Sequence, residues 1–444
     1  MNLRWTGRGS ARVFCPVCDA EGVQPAIAKV RVEWQRRPVV VVRCATCATV
    51  VPSAVLPPDA AYQGAYWDWD NYVEQSAGVE VLASMLALVD APPGSTFLDV
   101  GCGFGFGLDL AVRLRGWDGI GLDPSEGADR GRAALGQDIR RVLLDPAFEP
   151  GRTFDVIFCS EVVEHLRHPR PVLAEIRARL APGGAAIITV PDATVISPDR
   201  PLTVAEPALS IGHHEFVPTI DGFRSLFEEA GLTAEVWSRG TNLVAVAAAD
   251  PTGLARLRRD GVAELRDLAE YARLHVESAP TDSPLAVGMA MRRVKYLAYD
   301  GRIPDAAAAI PALAAILRAR YGIDLAQPDT IAVDGGPVPA VLAGACYFAG
   351  LASCIVDQDP LQGDRYFRAA ARSGRAHRQQ FDRYFDPEVG RFAMEALGEL
   401  ASLHAPTDPA RSRTALAELD QIASDCGDRT FADAYHARVD PLLI

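Results

Sequence analysis

Residues Phe97-Leu98-Asp99-Val100-Gly101-Cys102-Gly103-Phe104-Gly105-Phe106-Gly107 run from an apolar stretch through alternating glycines into a helical pattern. A strand that turns into a helix across such a loop lets the backbone approach a ligand closely at the helix N-terminus. A nucleotide-type cofactor is expected there. The dinucleotide fingerprint G-x-G-x-x-G fails in every window, because counting from Gly101, Gly103 or Gly105 the last position is Phe106, Leu108 or Leu110. A phosphate loop also fails, since no Gly-Lys-Ser/Thr follows. What remains is Asp-x-Gly-x-Gly-x-Gly, with Asp123 placed twenty residues after Gly103. An acidic side chain at the end of a second strand is positioned to accept hydrogen bonds from ribose hydroxyls.

Outward from this loop, strand-like runs alternate with helical stretches: Thr96–Val100, Gly119–Leu122, Arg141–Leu144, Asp155–Cys159, Ala185–Val190, Ala234–Trp237 and Leu243–Ala248. Such alternation predicts an α/β fold with a doubly wound, mostly parallel, seven-stranded sheet. Val79, Leu82, Met85, Leu86 and Val89 recur at helical steps within 61–90, so a helix leads into this core.

The motifs in this order resemble those of the class I S-adenosylmethionine-dependent methyltransferases. Besides the glycine loop, they include Phe154-Asp155-Val156-Ile157-Phe158 with Glu164-His165-Leu166 after it, Leu180-Ala181-Pro182-Gly183-Gly184, and Phe227-Glu228-Glu229-Ala230-Gly231-Leu232. The resemblance covers about residues 60–248. It implies S-adenosylmethionine as cofactor, with Asp99, Gly101, Gly103 and Gly105 at the loop and methionine end, Asp123 at the ribose, Asp145 on the adenine side and Ser160 on the sulfonium side. For Asp145 and Ser160 a loop or capping role is the alternative.

Four of the nine cysteines form two C-x-x-C pairs, Cys15 with Cys18 and Cys44 with Cys47, 25 residues apart. Two such knuckles let four thiolates meet around a tetrahedral Zn²⁺, and a closed shell of four ligands makes the metal structural. Val39–Val42 reads as a strand delivering the second pair, and Pro57-Pro58 closes the segment. A zinc ribbon ahead of this core is similar to the arrangement in nucleotide-sugar C-methyltransferases. An odd cysteine count and an N-terminus without an apolar leader segment lead us to expect a reducing cytoplasm.

Methyl transfer to a hydroxyl or carbon acid also requires removal of a proton, which directs attention to histidines near strand ends. His165 follows the fourth strand, with Glu161 one turn earlier to orient it; packing against the sheet is the alternative. His213-His214-Glu215 falls between the fifth strand and the next helix, where sugar C-methyltransferases carry a His-Glu-His type cluster. Tyr62, Tyr66, Trp67, Trp69 and Tyr72 either flank a ligand or pack the leading helix.

Beyond Asp250 the chain reads as helices punctuated at Pro280, Pro304, Gly335-Gly336-Pro337, Pro360 and Pro406. Pairs such as Met289–Tyr299 with Pro304–Arg318 resemble tetratricopeptide hairpins; an irregular bundle is the alternative. Gly335–Val356 holds 22 residues without a charge, but its Ala- and Gly-rich composition and its flanking Asp334 and Asp357 favour a buried helix over a membrane span. Three domains are thus expected: a zinc ribbon over 1–58, a methyltransferase core over 59–249 and a helical domain over 250–444. With 44 Lys+Arg against 57 Asp+Glu, the net charge of -13 disfavours nucleic acid as partner. The expected acceptor is a small molecule, foremost a sugar, nucleotide-sugar or glycan. The alternative is a helical interaction scaffold, or a protein methyltransferase whose residues 250–444 recognise a protein partner.

Overall fold

The computed structural model describes residues 2–32, 36–55, 69–75, 78–333, 338–381, 387–427 and 429–443. Pro57, Pro58, Tyr62, Tyr66, Trp67 and Gly335–Pro337 therefore lie outside the described residues. The chain forms two compact units: Met1–Asp68 with Val79–Ala263, and Trp69–Gly78 with Glu264–Ile444.

The first unit holds two sheets. Strands β1 (Asn2–Trp5), β2 (Ser10–Phe14), β3 (Glu21–Arg31), β4 (Val39–Arg43) and β5 (Val50–Pro52) form an antiparallel sheet in the order β1-β3-β4-β5, with β2 also on β3. Strands β6 (Thr96–Val100), β7 (Asp118–Leu122), β8 (Ile139–Arg140), β9 (Phe154–Ser160), β10 (Leu180–Pro191), β11 (Thr233–Arg239) and β12 (Asn242–Ala248) form a seven-stranded sheet ordered β11-β12-β10-β9-β6-β7-β8. Neighbours from β8 to β10 run parallel, and β12 runs antiparallel to both β10 and β11. The sheet is mixed, with one reversed strand. Consecutive residues Val156, Ile157, Phe158 and Cys159 are all 0–1% exposed, so helices cover both faces.

The expected strand Arg141–Leu144 is displaced to the two residues of β8, Ile139–Arg140. Ile139 is fully buried, whereas Val142 and Leu143 are 42% and 59% exposed. β8 is an edge strand with a partner on one side only, so an apolar run beside it had no second strand to bury it. The helical periodicity read over 61–90 is likewise interrupted: Trp69–Glu74 belongs to the second unit and Val79–Leu86 to the first.

Chain order reverses between β6 and β9, where the chain winds one way to β7 and β8 and the other way to β10. In open α/β sheets this switch point, at the carboxyl ends of the strands, is where ligands bind. The antiparallel sheet packs there too. Its Ala28, Val30, Val39, Val41 and Val50 share a core with Val195, Ile196, Ala205, Leu209 and Val217, from the segment after β10. Val50 and Val217 exchange backbone hydrogen bonds of 2.9 and 2.8 Å.

The second unit is helical throughout its described residues. Helices Pro284–Tyr299, Ile303–Tyr321, Val341–Ile355, Pro360–Phe381, Pro387–His404, Pro409–Cys426 and Thr430–Val439 each pack on the next. The first, third, fifth and seventh of these also pack in a row, the pattern of stacked helical hairpins. Val341–Ile355 is buried almost all round, and no described helix is long and apolar enough to cross a membrane. Trp69 and Tyr72 meet edge to face at 5.4 Å within this unit.

Candidate functional site

The loop after β6 is shaped by three left-handed glycines, Gly101, Gly103 and Gly105, at φ of 71°, 55° and 94°. A side chain at Gly101 would also strike Val162, with a Cβ only 2.3 Å from its Cγ2. The amides of Gly101 and Cys102 donate to the Leu122 carbonyl at 2.7 and 3.0 Å, which folds the loop against the end of β7. Asp123 then accepts from the Gly103 amide at 2.9 Å and from the Ser125 amide at 2.8 Å. Helix Phe106–Arg115 starts from Gly105 without a side-chain cap. Asp99 is buried below the loop, and that burial, with the charge of Asp123, raises its pKa to about 8.

The structure thus brings Asp99, Gly101, Gly103, Gly105 and Asp123 together at the ends of β6 and β7. Asp145 is exposed after β8, where its carboxylate closes a turn by accepting from the amides of Ala147 and Phe148 at 2.8 and 3.1 Å. Ser160 ends β9, its hydroxyl 2.7 Å from that of Thr189 on β10.

Past β9 the chain enters a tight turn at Glu161, whose φ is 55°, and a 3-10 turn over Val163–His165. Glu161 does not orient His165. Its Oε1 accepts from the Thr189 hydroxyl at 3.1 Å and from the Asn242 amide at 2.8 Å, and desolvation raises its pKa to about 7. The segment after β10 crosses over this turn, with the amide of Glu215 donating to the Glu164 carbonyl at 2.8 Å. That crossing sets His214 against His165, their rings edge to face at 4.8 Å. His165 Nδ1 lies 3.1 Å from the His213 carbonyl and His214 Nδ1 lies 2.9 Å from the Ala208 carbonyl. Burial depresses both imidazoles, to about 4 and about 3, so they are neutral near pH 7. Glu215 points elsewhere, lining a groove with Arg12, Phe14 and Arg167.

Glu164 is the residue that reading the sequence missed as a site member. It is fully buried, and its Oε1 lies 3.9 Å from the Nε2 of both His165 and His214. The spacing Glu161-x-x-Glu164-His165 was the available signal. Its meaning depended on which residues the later segment would bring over it.

Close to the segment after β10, where the Thr219 hydroxyl donates to the Cys47 carbonyl at 3.1 Å, the four paired cysteines converge. Cys15 and Cys47 sulfurs are 3.5 Å apart, Cys18 and Cys44 sulfurs 3.6 Å, and all four lie within 4.8 Å of one another. A zinc ion with bonds of ~2.3 Å sets tetrahedral sulfur edges of roughly 3.8 Å, so the set has the size of such a site. Both knuckles have the same backbone. Cys15 and Cys44 amides donate to Ala20 and Thr49 carbonyls, while Asp19 and Ala48, at φ of 55° and 61°, donate back to the Cys15 and Cys44 carbonyls.

A seven-stranded sheet with one reversed strand, a glycine loop at its switch point and an acidic residue closing that loop form the arrangement that the sequence motifs led us to expect. Residues 75–236 match a family model described as a methyltransferase domain. Over 174 residues the chain is 26% identical to the mitochondrial ubiquinone biosynthesis O-methyltransferase of Schizosaccharomyces pombe, a match covering 34% of this chain and 61% of that protein. Over 105 residues it is 33% identical to the tRNA U34 carboxymethyltransferase of Klebsiella pneumoniae, covering 21% of this chain and 30% of that one. The chain therefore spans about three fifths of the first relative and under a third of the second. Among solved structures, the TehB-like SAM-dependent methyltransferase of Corynebacterium glutamicum matches with a TM-score of 0.32 at 22% identity, covering 44% of this chain and 100% of that chain.

Proposed function

We propose that the protein transfers the methyl group of S-adenosylmethionine to a hydroxyl of a small-molecule acceptor, of which a sugar, nucleotide-sugar or glycan is the foremost class. The observation that carries this reading is the closed loop between Gly101 and Asp123, with an intact acidic residue at the end of β7. Asp99 and the three glycines would hold the methionine end, and Asp123 the ribose. Asp145 and Ser160 remain the candidates for the adenine and sulfonium sides. The cysteine set would hold a structural zinc.

The reaction is an in-line displacement. The acceptor oxygen forms a bond to the methyl carbon, the sulfur–carbon bond breaks with its electron pair going to sulfur, and the hydroxyl proton leaves. Holding the two reactants in near-attack geometry supplies much of the acceleration. The acceptor side is formed by the turn after β9 and the segment after β10, so the hydroxyl proton is lost among Glu161, Glu164, His165 and His214. His213 shapes this cluster through its carbonyl, and Glu215 lines the adjoining groove.

Titration calorimetry tests the reading. Wild-type protein is expected to bind S-adenosylmethionine, and Asp123→Ala to weaken it by about 10- to 100-fold, the worth of a lost charged hydrogen bond. No binding to wild type would overturn it.

A further inference from the structure

Glu164 and His214, both buried, and His165, partly exposed, form a cluster in which the carboxylate and the two ring nitrogens facing it are all acceptors. A carbonyl can only accept, so the Nδ1 of each histidine carries its proton, toward His213 and Ala208 respectively. In a neutral ring the opposite nitrogen, Nε2, then holds a lone pair. Both Nε2 atoms face Glu164 Oε1 at 3.9 Å. Neither carboxylate oxygen of Glu164 has a hydrogen-bond partner, although the side chain is fully buried. Glu161 stands three residues earlier in the same turn, its Oε1 held by the Thr189 hydroxyl and the Asn242 amide. One carboxylate and two imidazole lone pairs therefore converge with no donor between them. A buried carboxylate left in that state is costly. A proton on Glu164 does not bridge the gap, because 3.9 Å exceeds hydrogen-bond reach.

We propose that Glu164, His165 and His214, with Glu161 beside them, bind a divalent cation. Bonds of ~2.1 Å to nitrogen and oxygen place neighbouring ligands roughly 3–3.5 Å apart, so the cluster closes on an ion by moves of under about 1 Å. Two histidines and a carboxylate on one side of an ion leave open positions, and mixed nitrogen and oxygen ligands favour manganese, iron, cobalt or zinc. The Nδ1–H bonds to backbone carbonyls are the outer-shell contacts that fix the tautomer of a ligating histidine. The site is separate from the four cysteines. Its use in chemistry, though not its existence, rests on the proposed function: with the ring lone pairs on the ion, an acceptor hydroxyl on an open position would lose its proton more readily, to Glu161 or to water.

The full-length, zinc-loaded protein is titrated with Mn²⁺, and the free ion is followed by electron paramagnetic resonance. Mn²⁺ prefers nitrogen and oxygen ligands and does not compete for thiolates. About one ion should bind per chain, and Glu164→Gln and His214→Gln should each weaken binding at least about 10-fold. S-adenosylmethionine affinity, measured on the same samples, should stay within about threefold of wild type. Absence of Mn²⁺ binding to wild type, or binding that neither substitution changes, overturns the proposal. Mn²⁺ binding without S-adenosylmethionine binding leaves the cation site standing and removes the proposed function instead.

Discussion

A Cβ at Gly131 would lie 1.8 Å from the carbonyl oxygen of Phe104, so helix Glu126–Leu135 touches the glycine loop through bare backbone. Gly136, at φ of 71°, faces open space. The pair separates two costs that one residue type hides. Gly131→Ala is expected to destabilise by about 1–3 kcal/mol, the usual cost of overpacking, and to weaken cofactor binding because the loop must shift. Gly136→Ala should cost about 1–2 kcal/mol in backbone strain and leave affinity unchanged. Thermal melts with calorimetry on both variants check this, and equal affinity losses would contradict it. The same scale explains why Asp123 was legible and Glu164 was not. Asp123 acts through amides of the adjacent loop and turn, at Gly103 and Ser125. Glu164 takes its meaning from His214, fifty residues further along the chain.

Among the elements, the first sheet does more than bring the four paired cysteines together. Its strand β5 is joined through Val50 to Val217, just past His213 and His214. Removing the proposed zinc with a chelator, or substituting Cys44→Ser, should therefore loosen 193–217 as well as the cysteine knuckles, since a structural metal contributes folding free energy directly. Hydrogen exchange should show faster exchange at the Val50 and Val217 amides, with the Gly101 and Cys102 amides unchanged. Unchanged protection at Val217 would sink the link. Strand β6 shows what local pattern settles. Thr96–Val100 was legible residue for residue, because a central strand buried on both faces is mostly apolar and is ended by its glycine turn. At β8, on the edge, the apolar run did not coincide with the strand.

For the whole molecule, the glycine loop and both sheets lie in the first compact unit, while the stacked helices form the second together with Trp69–Gly78. A chain ending at Ala263, with 69–78 replaced by a glycine–serine linker, is expected to bind S-adenosylmethionine within about twofold of the full protein. A large loss would show that the helical unit completes the cofactor site. Retained binding with lost turnover would assign that unit to acceptor recognition. Read by itself, the sequence determined the doubly wound sheet, the glycine loop with Asp123, the cysteine knuckles and the helical C-terminal half. Each is written in residues close together in the chain or in a short fixed spacing, where burial and backbone conformation impose the pattern directly. Only the tertiary structure decided the cluster of Glu161, Glu164, His165 and His214, and the attachment of the first sheet to the segment that builds it. Those depend on one segment crossing over another, and no local periodicity records which buried acceptors such a crossing brings face to face.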